Sequence, residues 1–169
     1  MPATPKKIRR RRPPGEVSVE QTHDRAVIAA MLDKVGAPMP INLTDSGECF
    51  LMAYLGDHPV GIAGFETEVD AALMHLLFVL ETMRRRRVGA SLLQAARVAA
   101  HTRGARTLYA VAPARYVGYF VRSGFTETGF AELAKTFNQV SILRWTRPED
   151  VPKCGVVRLD ISRDGLIER

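Results

Sequence analysis

Residues 76–93 read Leu-Leu-Phe-Val-Leu-Glu-Thr-Met-Arg-Arg-Arg-Arg-Val-Gly-Ala-Ser-Leu-Leu, an apolar strand that passes through a cationic turn into an amphipathic helix opening at Gly89. Such a junction is built to hold an anion. The first backbone N–H groups of a helix have no intrahelical acceptor, and the macrodipole adds positive partial charge at the same end. A glycine lets a phosphate approach the backbone closely, and Arg84, Arg85, Arg86 and Arg87 add attraction from farther away. The chemistry that these residues suit is the binding of a diphosphate-bearing cofactor. A bare arginine run is more often a solvated turn; the strand before it and the helix after it favour the ligand.

The elements around this junction follow from pattern. Residues 16–20 alternate as a first strand, and Thr22 is placed to cap a helix through Ala26, Ala29, Ala30, Met31 and Leu32 that stops at Gly36. Cys49–Leu55 and Val60–Thr67, joined through Gly56-Asp57-His58-Pro59, read as a hairpin. Ala71–Leu80 is the longest apolar run, so it belongs in the middle of its sheet, covered on both faces. Val88, Leu92, Ala95, Ala96, Ala99 and Ala100 recur at helical spacing up to Gly104. Thr107–Ala112 is the next strand. A short helix through Tyr116, Tyr119 and Phe120 ends at Gly124, and extended structure resumes at Phe125–Thr128. Ala131–Thr136 reads as helical and Val140–Trp145 as a strong last strand. Val156–Ile161 alternates as an added edge strand.

The bulk properties bound the class. A chain of 169 residues with 46% apolar and 25% charged residues suits one soluble domain with a full core. No apolar run reaches the roughly 20 residues that a membrane span needs, and no apolar segment follows the charged N-terminus as a secretory signal would. The two cysteines, Cys49 and Cys154, stand in no metal or redox spacing and read as unlinked thiols of a reducing cytoplasm. No metal cluster or nucleophile triad stands out. The net charge of +6 is uneven: residues 6–12 carry six positive charges ahead of Pro13-Pro14-Gly15. That arm, residues 1–15, is disordered by composition. It fits a nucleic-acid contact, an anionic surface or a nuclear-import signal, and more simply a solvated arm.

Two motifs in this order carry a resemblance. Arg84 through Gly89 follows the pattern Gln/Arg-x-x-Gly-x-Gly/Ala, with Arg87 where the middle glycine is usual, and Leu92 and Leu93 follow. Tyr119-Phe120-Val121-Arg122-Ser123-Gly124-Phe125 matches Phe-Tyr-x-x-x-Gly-Phe, and Pro59-Val60-Gly61-Ile62-Ala63-Gly64 matches the hairpin strand that accompanies them. Together they resemble the GCN5-related N-acetyltransferase (GNAT) superfamily over roughly residues 17–145. Gly61–Val79 and Leu133–Leu143 also resemble N-acetylglutamate synthases, and the former stretch arsenic-resistance acetyltransferases.

The resemblance implies an α/β (layered α+β) fold, a mixed and mostly antiparallel twisted sheet of 6–7 strands with helices on both faces. Residues 16–146 would form that domain, with 147–169 as a C-terminal tail. It implies acetyl-CoA as acetyl donor, no metal, and a small-molecule primary amine as acceptor, an amino acid or a related metabolite. Strands 71–80 and 107–112 would part, placing Leu77, Phe78 and Val79 along the pantetheine arm and the Val79 N–H at the thioester carbonyl. The diphosphate would lie over Arg84, Arg85, Arg86, Arg87, Val88, Gly89 and Ala90, with Phe120 nearby. Phe120 occupies the place of the usual tyrosine acid and cannot donate a proton. Tyr116, one turn earlier, can reach the same face, whereas Tyr119 should face elsewhere because a helix turns by about 100° per residue. The base candidates are Glu66, on the hairpin, and His75, whose ordinary pKa suits the task but whose apolar setting equally fits a core histidine. The alternative is a GNAT-like module that binds CoA without turnover. An exposed final strand would pair subunits in a homodimer.

Overall fold

The computed structural model describes residues 15–37, 48–144 and 146–162. The basic stretch 6–12 and Trp145 lie outside the described residues. The strands are β1 (Val17–Thr22), β2 (Glu48–Leu55), β3 (His58–Glu68), β4 (Ala71–Val79), β5 (Thr107–Pro113), β6 (Thr126–Thr128) and β7 (Cys154–Asp160). They form one seven-stranded sheet in the order β1-β2-β3-β4-β5-β7-β6. All neighbours are antiparallel except β4 and β5. The apolar run of β4 is thus the middle strand.

Period-two alternation divides β2 between the two faces. Cys49, Leu51 and Ala53 point to the side covered by α2 (Val88–Thr102), where Leu92, Ala96 and Ala100 are wholly buried. The alanines keep this helix close to the sheet. On the same side, Phe120 of α3 (Ala114–Arg122) stacks edge-on against Phe125. Phe50, Met52 and Tyr54 point the other way, against Ile28, Met31 and Leu32 of α1 (Arg25–Lys34). Farther along that second face, α4 (Phe130–Leu133) and α5 (Gln139–Leu143) bring Leu133 and Ile142, with Phe137 between the helices, onto Ala71, Leu73, Tyr109 and Val156. Helices therefore cover both faces. Cys49 and Cys154 are free thiols. Among the described residues no helix is long and apolar enough to cross a membrane.

Three local expectations are corrected. The cap of α1 is Asp24, whose carboxylate accepts from the Ala26 and Val27 N–H groups; Thr22 instead accepts from the Asp24 N–H. Residues 139–143 are helical because Asn138 caps them, its side chain accepting from the Ser141 N–H, so the β-branched Val140 and Ile142 do not build a strand. The 154–160 strand lies inside the sheet, between β5 and β6, rather than at its edge. It pairs with β5 along seven positions, from Thr107↔Asp160 to Pro113↔Cys154, and so satisfies a strand side that the three-residue β6 is too short to cover.

The close seat of α2 needs Gly61 on β3. A Cβ there would lie 2.8 Å from the Phe78 carbonyl oxygen and 3.0 Å from Leu92 Cδ1. Gly61→Ala should lower the urea midpoint by the equivalent of about 1–3 kcal/mol; an unchanged midpoint would contradict this packing.

Candidate functional site

The site begins where two strands stop pairing. β4 and β5 run parallel only from Ala71↔Thr107 to Met74↔Ala110, although β4 continues to Val79 and β5 to Pro113. At the same point the β3–β4 register shifts: Gly64 faces Leu76 and Phe65 faces Met74, leaving His75 as the extra residue. An extra residue of this kind bends its strand and tightens the local twist. The bend carries β4 away from β5 and opens a cleft of about 630 Å³ between them.

That cleft gathers most of the residues singled out from the sequence. Leu77, Phe78 and Val79 form its β4 wall, and His75 stands at the fork. Arg84, Arg85, Arg87, Val88, Gly89 and Ala90 form its mouth, with Tyr116 and Phe120 opposite on α3. Arg86 and Glu66 do not line it.

The turn into α2 is shaped by its backbone. Arg85 (φ 65°) and Arg87 (φ 60°, ψ 13°) adopt left-handed conformations. Arg87 therefore takes up the geometry for which the pattern's middle glycine is suited, at a cost of about 1–2 kcal/mol for an L-residue. Arg84 to Arg87 are all exposed. Arg87 is also the N-cap of α2 and makes no side-chain cap, so the first N–H groups of a fifteen-residue helix remain directed at the cleft mouth.

Tyr119 does not face elsewhere; it lines the cleft beside Phe120. Phe120 turns into the core, 6% exposed, and the Tyr119 ring crosses it edge-on. Its hydroxyl lies 3.2 Å from where a Cβ on Gly89 would stand. That buried hydroxyl has no hydrogen-bond partner among the described residues, the Ser123 hydroxyl being turned to the Tyr119 carbonyl at 2.9 Å. Burial pushes the Tyr119 phenol above its usual range, so it is a proton-bearing donor. Tyr116 is exposed, and a hydrogen bond and the charge from Arg115 hold its phenol below the usual range.

Behind the fork lies a polar cluster on the sheet face shared by α1 and α5. His75 Nε2 is 3.5 Å from Glu66 Oε1, which brings the two base candidates together. Arg144, at the end of α5, places Nη1 2.7 Å from Glu48 Oε1 and 3.5 Å from Glu66 Oε2. Burial, aided by the Arg144 charge, pushes the His75 imidazole down to about 3, so it is neutral near pH 7. Burial pushes the Glu66 carboxyl up; the Ser141 hydroxyl and Arg144 oppose this, while Glu48 and Glu68 add to it. Ligand atoms of Glu48, Glu66 and His75 converge within 4.8 Å of one another, a donor set that suits a divalent ion, but the Arg144 guanidinium already supplies the positive charge. Glu48 and Arg144 were not legible as site residues, since 96 positions separate them.

His75 makes stability depend on pH. Its folded value, about 3, lies below the unfolded 6.5, so its contribution is complete above about pH 6.5 and is lost as pH falls toward 3. Glu66, raised in the folded chain, works in the opposite sense as it takes up a proton. Comparison with His75→Gln isolates the histidine: in urea unfolding at pH 7 and pH 5, the wild type should lose about 2 kcal/mol more than the variant. Equal losses would contradict the buried neutral imidazole.

Residues 46–127 match the family model of the acetyltransferase (GNAT) domain. No curated protein sequence matches the chain. Among solved structures, N-acetylglutamate synthase from Neisseria gonorrhoeae, complexed with coenzyme A and N-acetyl-glutamate, is similar with a TM-score of 0.66 at 19% identity. The similarity covers 88% of this chain but only 36% of that one, so the chain spans about a third of the synthase's length. A GNAT-family acetyltransferase from Staphylococcus aureus is similar over 86% of this chain and 99% of its own, with a TM-score of 0.63 at 17% identity. An IAA acetyltransferase from Bacillus cereus shows the same coverage and TM-score at 15% identity. Strand order, the forked β4–β5 pair and the uncapped α2 mouth agree with the domain model matched over residues 46–127, and the chain has the GNAT fold.

Proposed function

We propose that this chain transfers an acetyl group from acetyl-CoA to the primary amine of a small molecule. The observation that carries the reading is the forked cleft with a cationic, uncapped helix start at its mouth. Acetyl-CoA fits what the cleft offers. Past Met74 and Ala110 each strand has backbone groups without a β-partner across the fork, and the Tyr119 hydroxyl is buried beside Gly89 without a hydrogen-bond partner among the described residues. Leu77, Phe78 and Val79 would pair with the pantetheine arm. The N–H groups of Val88, Gly89 and Ala90 would hold the diphosphate, with Arg84, Arg85 and Arg87 supplying charge around it. When bound, acetyl-CoA supplies an activated acyl carbon and a competent thiolate leaving group. The bound coenzyme A of the gonococcal synthase structure supports the choice of cofactor.

The chain's own residues then manage protons. The nucleophile must be a neutral amine, so one proton has to leave the ammonium form. His75, neutral and set in the cleft wall, accepts that proton at one ring nitrogen while the other passes its own to Glu66, 3.5 Å away. Burial raises the pKa of the Glu66 carboxyl, which makes the carboxylate a stronger final acceptor. As the C–N bond formed and the C–S bond broke, Tyr116 would give its proton to the departing thiolate, since Phe120 has none to give, and the second proton of the acylated nitrogen would return to the Tyr116 phenolate. The Val79 N–H would stabilise the carbonyl oxygen in between.

Two variants separate binding from chemistry. Gly89→Trp should weaken acetyl-CoA binding at least tenfold by calorimetry, because its side chain would meet the Tyr119 hydroxyl and fill the phosphate seat. Undiminished binding would contradict the placement. Glu66→Gln should bind acetyl-CoA normally yet lose about 10²–10⁴-fold in kcat/KM, followed by release of free thiol. Full activity of Glu66→Gln would remove it as base, and stabilisation of the wild type by acetyl-CoA with no thiol release on any amine would favour a CoA-binding module instead.

A further inference from the structure

The cleft has two electrical ends. Arg84, Arg85, Arg87 and Arg115 stand at its mouth, and no aspartate or glutamate is among its described lining residues. At the fork the sign reverses. His75 joins the cleft to a cluster in which the carboxylates of Glu48 and Glu66 face the single guanidinium of Arg144. With His75 neutral, one negative charge is in excess among the described residues of the cluster, and Glu68 adds to it from β3, the strand of Glu66. The Glu48 side chain is 3% exposed, and its Oε2 is buried with no hydrogen-bond partner among the described residues. A buried carboxylate that lacks a full set of donors is poorly screened, so its charge is felt across the His75 wall of the cleft. Arg144 already carries two carboxylates, so it does not offer a fresh anchor for a third.

Resting on the acetyltransferase reading above, we propose that the acceptor is an aliphatic primary amine with no carboxylate on its nitrogen-bearing carbon, drawn as its ammonium form to the His75 end of the cleft by the charge of Glu48 and Glu66 behind that wall. An α-amino acid would bring its own carboxylate within a few ångströms of that excess charge, where water is scarce and repulsion is strong. An ammonium meets the opposite situation: attraction on approach, and His75 beside it to pass its proton on to Glu66. The polarity of the cleft matches the polarity of the pair it must hold together, diphosphate at one end and ammonium at the other.

A matched pair of probes tests this: pentylamine and L-norleucine, which differ only by the carboxylate on the amine-bearing carbon. Saturation-transfer NMR on the cofactor-free chain reads binding, and thiol release with acetyl-CoA reads turnover. The expected result is binding of pentylamine but not of norleucine at equal concentration, and a kcat/KM at least tenfold higher for pentylamine. Glu48→Gln should narrow that gap to about threefold, because it removes the excess charge; the wild-type comparison stands without it should the variant fail to fold. Equal preference, preference for norleucine, or no binding of pentylamine overturns the proposal. Pentylamine that binds selectively but is never acetylated upholds this acceptor class and fails the acetyltransferase reading instead.

Discussion

The parting of β4 from β5 after four residue pairs is the constraint on which the site depends. Strands in a sheet stay together because each backbone N–H and C=O needs a partner, and separating two of them in the middle of a domain leaves polar groups to be satisfied by something else. The extra residue at His75 enforces the separation at one defined place. Everything else stabilises the open fork. β7 pairs with β5 from the far side, β3 pairs with β4, and the helices α2 and α3 wall the gap.

The same event supplies both binding and chemistry. Because the bend falls at His75, the residue that opens the cleft also stands in its wall, touching a carboxylate on the neighbouring strand. The excursion between β6 and β7, residues 129–153, crosses the sheet face and ends its second helix with Arg144 against β2 and β3. That guanidinium ties the excursion to the fork and makes two nearby buried carboxylates tolerable. A buried pair of acids without it would be strongly disfavoured.

Much of this was legible in the sequence. The order of elements up to α3, the central place of β4 and the arginine-rich opening of α2 follow from periodicity, Gly and Pro positions and the two motifs, all of which are local signals. What was not legible depends on distant partners. Val140 and Ile142 suggest a strand until Asn138 is seen to cap a helix there. The 154–160 segment looks like an edge until β5 is seen to need a partner along its whole length. Tyr119 was misplaced because a single helical wheel cannot tell which of two adjacent residues a short helix turns inward; burial of Phe120 against Phe125 decides it. Arg144 and Glu48 are ordinary charged residues in sequence, and only the fold brings them together.

The most direct test of the account is amide hydrogen exchange on the intact chain with and without CoA. The forked-cleft account predicts slowed exchange at residues 77–79 and 88–90, with no change along residues 71–74, whose pairing with β5 is already complete. Unchanged exchange at both segments under saturating CoA, or protection confined to another face, would contradict it.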